Sequence, residues 1–297
     1  MELTYEVYHG DCFKRLADLP DKSVTLILTD PPYGHQNNED DLIARWELAL
    51  GENRKRPNTT LAVRRKGDNF ADPMPRPIHN DTPEKAEALF DTLVDETSRP
   101  LAPVGCCCCC GGGGGPDPQF ARWSMKMDSK LQYVQMLIWD KGPIGMGWRY
   151  RRSYETVLVA TRRGGRMPWY DNSDKIENII RPGAYGIKKI LPSKNQHPTQ
   201  KPVELFELFI RLHTKPGDLV VDPFCGSGSS GVAAKKLGRS WLGCDTDIRW
   251  VEMTRRRLAA TTSRLPELME AERAELEEME RQGVFAECSD DTQGASP

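Results

Sequence analysis

Two polar motifs, about 190 residues apart, each follow an apolar run that is typical of a buried β-strand. The first, Asp-Pro-Pro-Tyr at residues 30–33, follows the run at 24–29. The second, Asp-Pro-Phe-Cys-Gly-Ser-Gly at residues 222–228, follows the run at 219–221. Open α/β sheets bind their ligands at the carboxyl ends of their strands, so we expect the two motifs to meet at one edge of a single sheet.

The first motif combines a carboxylate, a stiff backbone and an aromatic ring. Asp30 can accept a hydrogen bond from an exocyclic amine, and Tyr33 can stack on a flat ring, while Pro31 and Pro32 restrict the backbone between them. For an isolated aspartate, a carboxylate that caps a turn would be the simpler interpretation, and Tyr33 could be a core residue. Together with the second motif, the pattern favours an enzyme that methylates an amino group on a nucleobase.

The second motif is a glycine-rich turn between a predicted strand and a predicted helix at 229–237. Glycines let a backbone approach a ligand closely, and the start of the helix presents unpaired N–H groups. Such a turn alone is a weak signal, because it can also serve a dinucleotide or simply close a tight bend. The candidate cofactor-binding residues here are Asp222, Phe224, Gly226, Ser227 and Gly228.

Another acidic residue ends the next predicted strand, at 240–244. Asp245 follows Gly226 by 19 residues, close to the roughly 20 residues at which nucleotide-binding sheets place an acid that binds ribose hydroxyls. The third glycine of a dinucleotide site is missing, which fits S-adenosylmethionine because it has no pyrophosphate. The alternative for Asp245 is a cap on the following helix.

Predicted strands and helices alternate along most of the chain, which favours an α/β fold with a mostly parallel sheet and helices on both faces. Thr82 followed by Pro83 predicts the start of a helix that runs to about Thr97. Residues 34–82 are polar and too long for a plain connection, so we expect a functional lid or a disordered segment.

Charge is distributed unevenly, although the net charge of the chain is only −2. Residues 141–201 carry 13 lysines and arginines against 4 acidic residues, a net charge of +9, whereas residues 264–297 have a net charge of −7. The basic middle predicts a surface that faces phosphates; the alternative is a solvated face.

Five of the nine cysteines are consecutive, at residues 106–110. We interpret this run as a buried strand in which cysteine acts as a small hydrophobe. A metal cluster is the alternative, but the run has no separate CxxC pairs of the zinc-site kind and no histidine nearby in sequence, so we expect no metal. Cys12, Cys225 and Cys244 are interpreted as packing residues.

Apolar stretches fall short of the ~20 residues that span a bilayer, and the first residues lack a basic-then-apolar signal pattern. We therefore expect a cytoplasmic protein without a membrane span.

With these motifs in hand, the chain resembles the β-class DNA amino-methyltransferases, which act on adenine N6 or cytosine N4. The resemblance covers roughly residues 4–260 and rests on the motif order: Asp-Pro-Pro-Tyr, a basic middle, His-Pro-Thr-Gln-Lys-Pro at 197–202, and the glycine turn. It implies a single Rossmann-like class I methyltransferase sheet with a circularly permuted motif order. The implied parts are a catalytic half (1–161, with the 34–82 insert), a short basic target-recognition region (162–196), a cofactor-binding half (197–260) and an acidic helical or disordered tail (261–297).

The resemblance also implies residue roles, with S-adenosyl-L-methionine as cofactor and double-stranded DNA as partner. Asp30 and the Pro31 carbonyl would accept the amine protons, and Tyr33 would stack on a flipped base. The implied cofactor residues are Asp11 near the adenine, Asp245 at the ribose, and Phe224, Gly226, Gly228, Thr199 and Lys201 at the methionine half. His197 is either close to the cofactor or a turn residue.

An aspartate at the first position of the motif favours adenine N6 over cytosine N4 in that family. A protein-glutamine methyltransferase, an RNA methyltransferase and a non-catalytic DNA-binding module are the competing interpretations. Many family members dimerise, so a homodimer is a further expectation.

Overall fold

The computed structural model describes residues 3–34, 82–111, 119–142, 153–173, 175–187, 199–264 and 270. Within these ranges, eight strands form one sheet: β1 (Tyr5–His9), β2 (Val24–Thr29), β3 (Leu101–Gly111), β4 (Gln132–Asp140), β5 (Tyr154–Thr161), β6 (Ile179–Ile180), β7 (Leu219–Asp222) and β8 (Ser240–Asp245). The same described residues form six α-helices: α1 (Cys12–Ala17), α2 (Pro83–Thr97), α3 (Gln119–Lys130), α4 (Val203–His213), α5 (Ser229–Lys236) and α6 (Ile248–Ala259). A short 3-10 helix spans Ala184–Gly186.

The strands are arranged in the order β1-β8-β7-β2-β3-β5-β4-β6. All pairs from β1 to β3 are parallel, whereas β5 runs antiparallel between β3 and β4. The predicted mostly parallel α/β sheet is confirmed. Strands β2 and β7 are direct neighbours, with Leu26 opposite Val220, so the two motifs follow adjacent strands.

Helices cover both faces of the sheet, as predicted. One core contains residues of α4, α5 and α6, and the other contains residues of α1, α2 and α3. The register of β2 explains this division, because Leu26 and Leu28 lie in the first core and Val24 and Ile27 in the second. Strands buried on both faces lack a polar alternation, and the continuous apolar runs of the sequence reflect this.

The cysteine run forms the carboxyl half of β3 and is buried, as predicted. Cys106, Cys108 and Cys110 belong to one core, and Cys107 and Cys109 to the other. Successive side chains of a strand point to opposite faces, and both faces of β3 are covered by helices. The thiols therefore fill two separate apolar layers.

Local capping signals are confirmed at α2. The Thr82 hydroxyl accepts a hydrogen bond from the Lys85 N–H, and Pro83 occupies the first turn. Two strand features were not predicted: the antiparallel direction of β5 and the two-residue strand β6. Most of the 34–82 insert and nearly all of the acidic tail lie outside the described residues. Among the described helices, none is long and apolar enough to cross a membrane.

Trp123 of α3 links the second core to the first motif. Its ring stacks on Phe90 with centroids 4.0 Å apart and meets the Tyr33 ring edge-on at 6.3 Å. We expect Trp123→Ala to lower the free energy of unfolding by ~3–5 kcal/mol, because it leaves a large cavity. Urea unfolding of the two proteins measures this.

Met125 provides the matched control, since it lies two residues away on the same helix and is 74% exposed. Met125→Ala should change stability by less than ~0.5 kcal/mol. Equal losses for the two variants would contradict the packing role of Trp123.

Candidate active site

The carboxyl ends of β2 and β7 are joined by a buried hydrogen bond. The Thr29 hydroxyl donates to Asp222 Oδ1 at 2.7 Å, and the Ser230 hydroxyl donates to Oδ2 at 2.5 Å. The Phe224 N–H also lies 3.2 Å from Oδ1. Asp222 thus connects the last residue of β2, the glycine turn and the start of α5.

Asp30 directly follows Thr29 and forms an ion pair with Lys201, which lies 171 residues later in the sequence. The Lys201 Nζ donates to Asp30 Oδ2 at 2.5 Å and lies 3.4 Å from the Tyr33 hydroxyl. The Tyr33 hydroxyl donates to Asp30 Oδ1. Both carboxylate oxygens of Asp30 therefore have partners from the site itself.

Tyr33 is held from three sides. Its carbonyl accepts a hydrogen bond from the Gln119 side chain at 2.8 Å, its ring meets Trp123 edge-on, and Lys201 Nζ lies 5.3 Å from the ring centroid. Pro31 is buried and Pro32 is half-buried. The predicted stiffness of the motif thus has packing support from α3.

A second carboxylate lies beside the first. Glu155, near the start of β5, has Oε2 at 3.2 Å from Lys201 Nζ and Oε1 at 2.8 Å from Lys141 Nζ. The four charges alternate in the order Asp30, Lys201, Glu155, Lys141. The row is neutral overall, which offsets the cost of burying its members.

Burial and pairing act on these groups in opposite directions. Burial raises the pKa of Asp30, and the Lys201 charge opposes this. Burial alone would lower the pKa of Lys201, but Asp30 and Glu155 raise it above its ordinary value. The pKa of Tyr33 is raised by burial and by the Asp30 charge. Lys201 therefore stays an ammonium, and the Tyr33 hydroxyl stays protonated as a donor.

The glycine turn has a backbone that other residues rarely adopt. Gly226 and Gly228 have φ values of 49° and 74°, and a Cβ on Gly228 would lie 2.5 Å from the Thr254 side chain. The Thr254 hydroxyl donates to the Gly226 carbonyl, and the Arg257 guanidinium donates to the Ser227 carbonyl. Helix α6 thus holds the turn from behind.

Asp245 lies against this turn. Its Oδ2 accepts from the Gly226 N–H at 3.0 Å, and its Oδ1 accepts from the Asp247 N–H at 2.8 Å. The cap of α6 is Asp247, which accepts from the Arg249 N–H. Asp247 therefore caps the helix in place of Asp245, and the Asp245 carboxylate is directed toward the glycine turn.

Asp11 lies at the same edge, because the end of β1 pairs with the end of β8. The Gly10 N–H donates to the Asp245 carbonyl at 2.9 Å, and Asp11 caps α1 by accepting from the Phe13 N–H. The Phe13 ring meets the Phe224 ring edge-on, with centroids 6.4 Å apart. Sequence reasoning missed Phe13, since a single phenylalanine in a short helix gives no motif.

The segment before α4 crosses between the two halves. The Lys201 carbonyl accepts from the Ser229 hydroxyl at 3.0 Å, while the Lys201 ammonium reaches Asp30. Thr199 is half-buried on the same segment. The structure therefore brings Lys201 to the first motif as well as to the glycine turn; His197 lies outside the described residues.

The predicted site residues that the structure describes lie at one edge of the sheet. Sequence reasoning missed Glu155, Lys141, Gln119 and Trp123. No local pattern marks these four, because they reach the site through sheet pairing and helix packing.

The sequence matches the family described as DNA methylase over residues 24–256. This range includes both motifs and most of the described sheet. The chain belongs to the DNA methylase family.

Two type II methyltransferases are similar to this chain in sequence. The type II methyltransferase M2.DpnII of Streptococcus pneumoniae is 36% identical over 119 residues, which cover 37% of this chain and 44% of that protein. The type II methyltransferase M2.MboI of Moraxella bovis is 24% identical over 264 residues, covering 85% of this chain and 87% of that protein.

Solved structures of DNA methylases share the fold. The cytosine-N4-specific PvuII DNA methyltransferase has a TM-score of 0.60 at 19% identity, with 86% of each chain covered. The M1.HpyAVI–SAM complex has a TM-score of 0.55 at 23% identity, with 85% of this chain and 98% of that chain covered.

The buried carboxyl of Asp222 should make the stability of this methylase depend on pH. Burial raises its pKa to about 7 against the partly compensating hydrogen bonds from Ser230 and Thr29. The pKa of Asp222 is higher in the folded protein than in the unfolded chain. The protonated carboxyl therefore contributes its full stabilisation below about pH 4, and this stabilisation is lost as the pH rises toward 7. Asp222→Asn cannot ionise, so its stability relative to the parent should rise over that window by a few kcal/mol.

Urea unfolding at a series of pH values measures the difference between the two curves. Asp95→Asn is the control, because it removes one carboxyl charge from an exposed position near the end of α2. Parallel curves for Asp222→Asn and the parent would show that the buried carboxyl does not titrate in this range.

Proposed function

We propose that this DNA methylase transfers a methyl group from S-adenosyl-L-methionine to the exocyclic N6 of adenine in a specific duplex site. The observation that carries the proposal is the convergence of Asp30, Tyr33 and Lys201 beside the Phe224 turn. An acceptor carboxylate and an aromatic ring thus lie next to a glycine-rich ligand turn.

The glycine turn suits an S-adenosyl-L-methionine ligand. Gly226 and Gly228 give the turn its left-handed backbone, the absent Cβ of Gly228 makes room for Thr254 of α6, and the Asp245 carboxylate lies against the turn at the Gly226 N–H. Asp245 would hold the ribose hydroxyls, and Phe224 with Phe13 would offer apolar surface. When bound, the cofactor supplies an electrophilic methyl group on a sulfonium.

The residues of the first motif would prepare the amine. An exocyclic amine is a poor nucleophile because its lone pair is delocalised into the ring. Hydrogen bonds from its two protons to Asp30 and to the Pro31 carbonyl would favour a pyramidal nitrogen with a directed lone pair. Such preorganised acceptors act through positioning and electrostatics.

Lys201 has a role beyond cofactor contact in this proposal. Its ammonium pairs with Asp30 and opposes the effect of burial, which raises the pKa of Asp30. An anionic carboxylate is a stronger acceptor for the amine than a protonated one. Glu155 would hold the Lys201 ammonium on its other side and so position it.

The target base must leave the helix before it reaches Asp30, at a cost of a few kcal/mol. Stacking on Tyr33 would recover ~1–3 kcal/mol of this cost.

The proposed recognition region spans 162–196. Its first part lies beside the amino end of β3, where the Arg166 N–H donates to the Pro103 carbonyl. Strand β6 returns to the carboxyl end of β4, so the segment around β6 is better placed to approach DNA at the site.

Cytosine N4 is the second candidate target. The structural likeness to the PvuII enzyme, whose name specifies cytosine N4, favours it. The aspartate at the first motif position favours adenine, as the family resemblance implies. Both targets present an amine that Asp30 could bind in the same way.

Asp30→Ala should abolish methyl transfer, a loss beyond roughly 10³-fold, because the amine loses its charged acceptor. Binding of S-adenosylmethionine should persist, since the glycine turn is unchanged. Incorporation of tritiated methyl groups into DNA and isothermal titration with the cofactor measure the two quantities.

Asp95→Ala is the control, because it removes an aspartate from an exposed ion pair with Lys130. Undiminished incorporation by Asp30→Ala would refute the assignment of Asp30. A parent protein that binds no S-adenosylmethionine would instead favour a non-catalytic DNA-binding module.

Single-molecule sequencing of host DNA after expression reports both the base and its context. We expect N6-methyladenine at one recurring sequence and none in cells that express Asp30→Ala. N4-methylcytosine at a recurring sequence would replace the adenine assignment, and methylation confined to RNA would reject DNA as the substrate.

A further inference from the structure

Two cysteines and a histidine come together in the core, away from the methyl-transfer site. Cys106 and Cys108 point to the same face of β3, with sulfurs 3.8 Å apart. A ring nitrogen of His213, at the end of α4, lies within 4.8 Å of both sulfurs. All three side chains are buried, with exposures of 2% or less.

The sequence hides this cluster. Five consecutive cysteines mark no particular pair as ligands, no histidine stands near them in sequence, and His213 follows more than 100 residues later. Packing of α4 on β3 supplies the missing imidazole. Alternation along the strand separates this pair from Cys107 and Cys109, which point into the opposite core.

A hydrogen bond indicates the tautomer of the neutral His213 imidazole. His213 Nδ1 lies 2.9 Å from the Pro168 carbonyl. A carbonyl only accepts, so Nδ1 carries the proton in the neutral ring and the lone pair lies on Nε2. Metal-binding histidines commonly donate their second ring N–H to a carbonyl in this way, which fixes the ring orientation for the metal.

The sulfur separation also fits a metal. Two thiolates at about 2.3 Å from a tetrahedral zinc ion lie about 3.8 Å apart, which is the separation seen here. Two thiolates and a neutral imidazole balance the charge of Zn²⁺, so the assembled site is neutral in an apolar core. Cu⁺ is also bound by thiolates and would leave one negative charge.

We propose that Cys106, Cys108 and His213 form a binding site for a thiophilic d¹⁰ cation, with Zn²⁺ favoured over Cu⁺. On binding, two S–H bonds break, two sulfur–metal bonds and one nitrogen–metal bond form, and two protons pass to solvent; a water that enters with Zn²⁺ would be its fourth ligand. No oxidant or reductant is consumed. The ion would fasten β3 to the end of α4, the helix whose first turn follows Lys201.

Metal analysis of the full-length chain tests the proposal. Protein refolded with Zn²⁺ and freed of loosely bound metal should retain about one zinc per chain. The same measurement with Cu⁺, under reducing conditions, tests the second candidate ion. Replacement by Co²⁺ should give a thiolate-to-cobalt charge-transfer band. The bound ion should also raise Tm, because it binds only the folded state.

One double variant on each face of β3 separates the proposed site from its control. Cys106→Ala with Cys108→Ala should lose the metal, the cobalt band and the metal-dependent rise in Tm. Cys107→Ala with Cys109→Ala removes the same two atoms from the opposite face of the same strand and should keep all three. His213→Asn retains a donor for the Pro168 carbonyl and should bind the metal at least tenfold more weakly.

The proposal is overturned if the refolded parent retains neither zinc nor copper. It is equally overturned if the Cys106/Cys108 variant retains as much metal as the parent, or if both double variants lose it alike. Near-UV circular dichroism checks folding, and His213→Asn decides the matter if the Cys106/Cys108 variant does not fold.

Discussion

The buried hydrogen bond between Thr29 and Asp222 is the contact on which the rest of the site depends. It joins the ends of two neighbouring strands that are 193 residues apart in sequence. Asp30 and Phe224 follow these two residues and are brought together by the same contact. Since an unpaired buried carboxylate is costly, the hydroxyls of Thr29 and Ser230 and the Phe224 N–H favour this one arrangement of the strand ends.

Electrostatic alternation stabilises the other half of the site. Asp30 and Glu155 would repel each other at close range without the ammonium of Lys201 between them. Removing Lys201 would leave two buried carboxylates, and removing Glu155 would leave Lys201 with one fewer partner. The arrangement therefore couples β2, β5 and the segment before α4 through charge, and none of these elements could shift without breaking a pair.

Much of the fold could be predicted because its signals are local. Strand β2 and helix α2 have the boundaries that their apolar run and their Thr82 cap indicated. The direction of β5 could not be predicted, since its apolar run reads the same whichever way the strand is inserted. Glu155 was missed for the same reason: it reaches Lys201 only because β5 is antiparallel, which brings the first residues of β5 to the edge where β2 ends.

The cysteine strand shows how a sequence without motif spacing can still prepare a site. Each face of β3 needs small apolar side chains, and cysteine satisfies both. On one face, however, the row runs from His213, through Cys106 and Cys108, to Cys110 beside the charged row. Burial, together with the charge of Asp30, raises the pKa of Cys110 well above its ordinary value. This thiol thus stays neutral near Asp30 and Lys201, and a buried neutral neighbour leaves the attraction between these two charges stronger than water would.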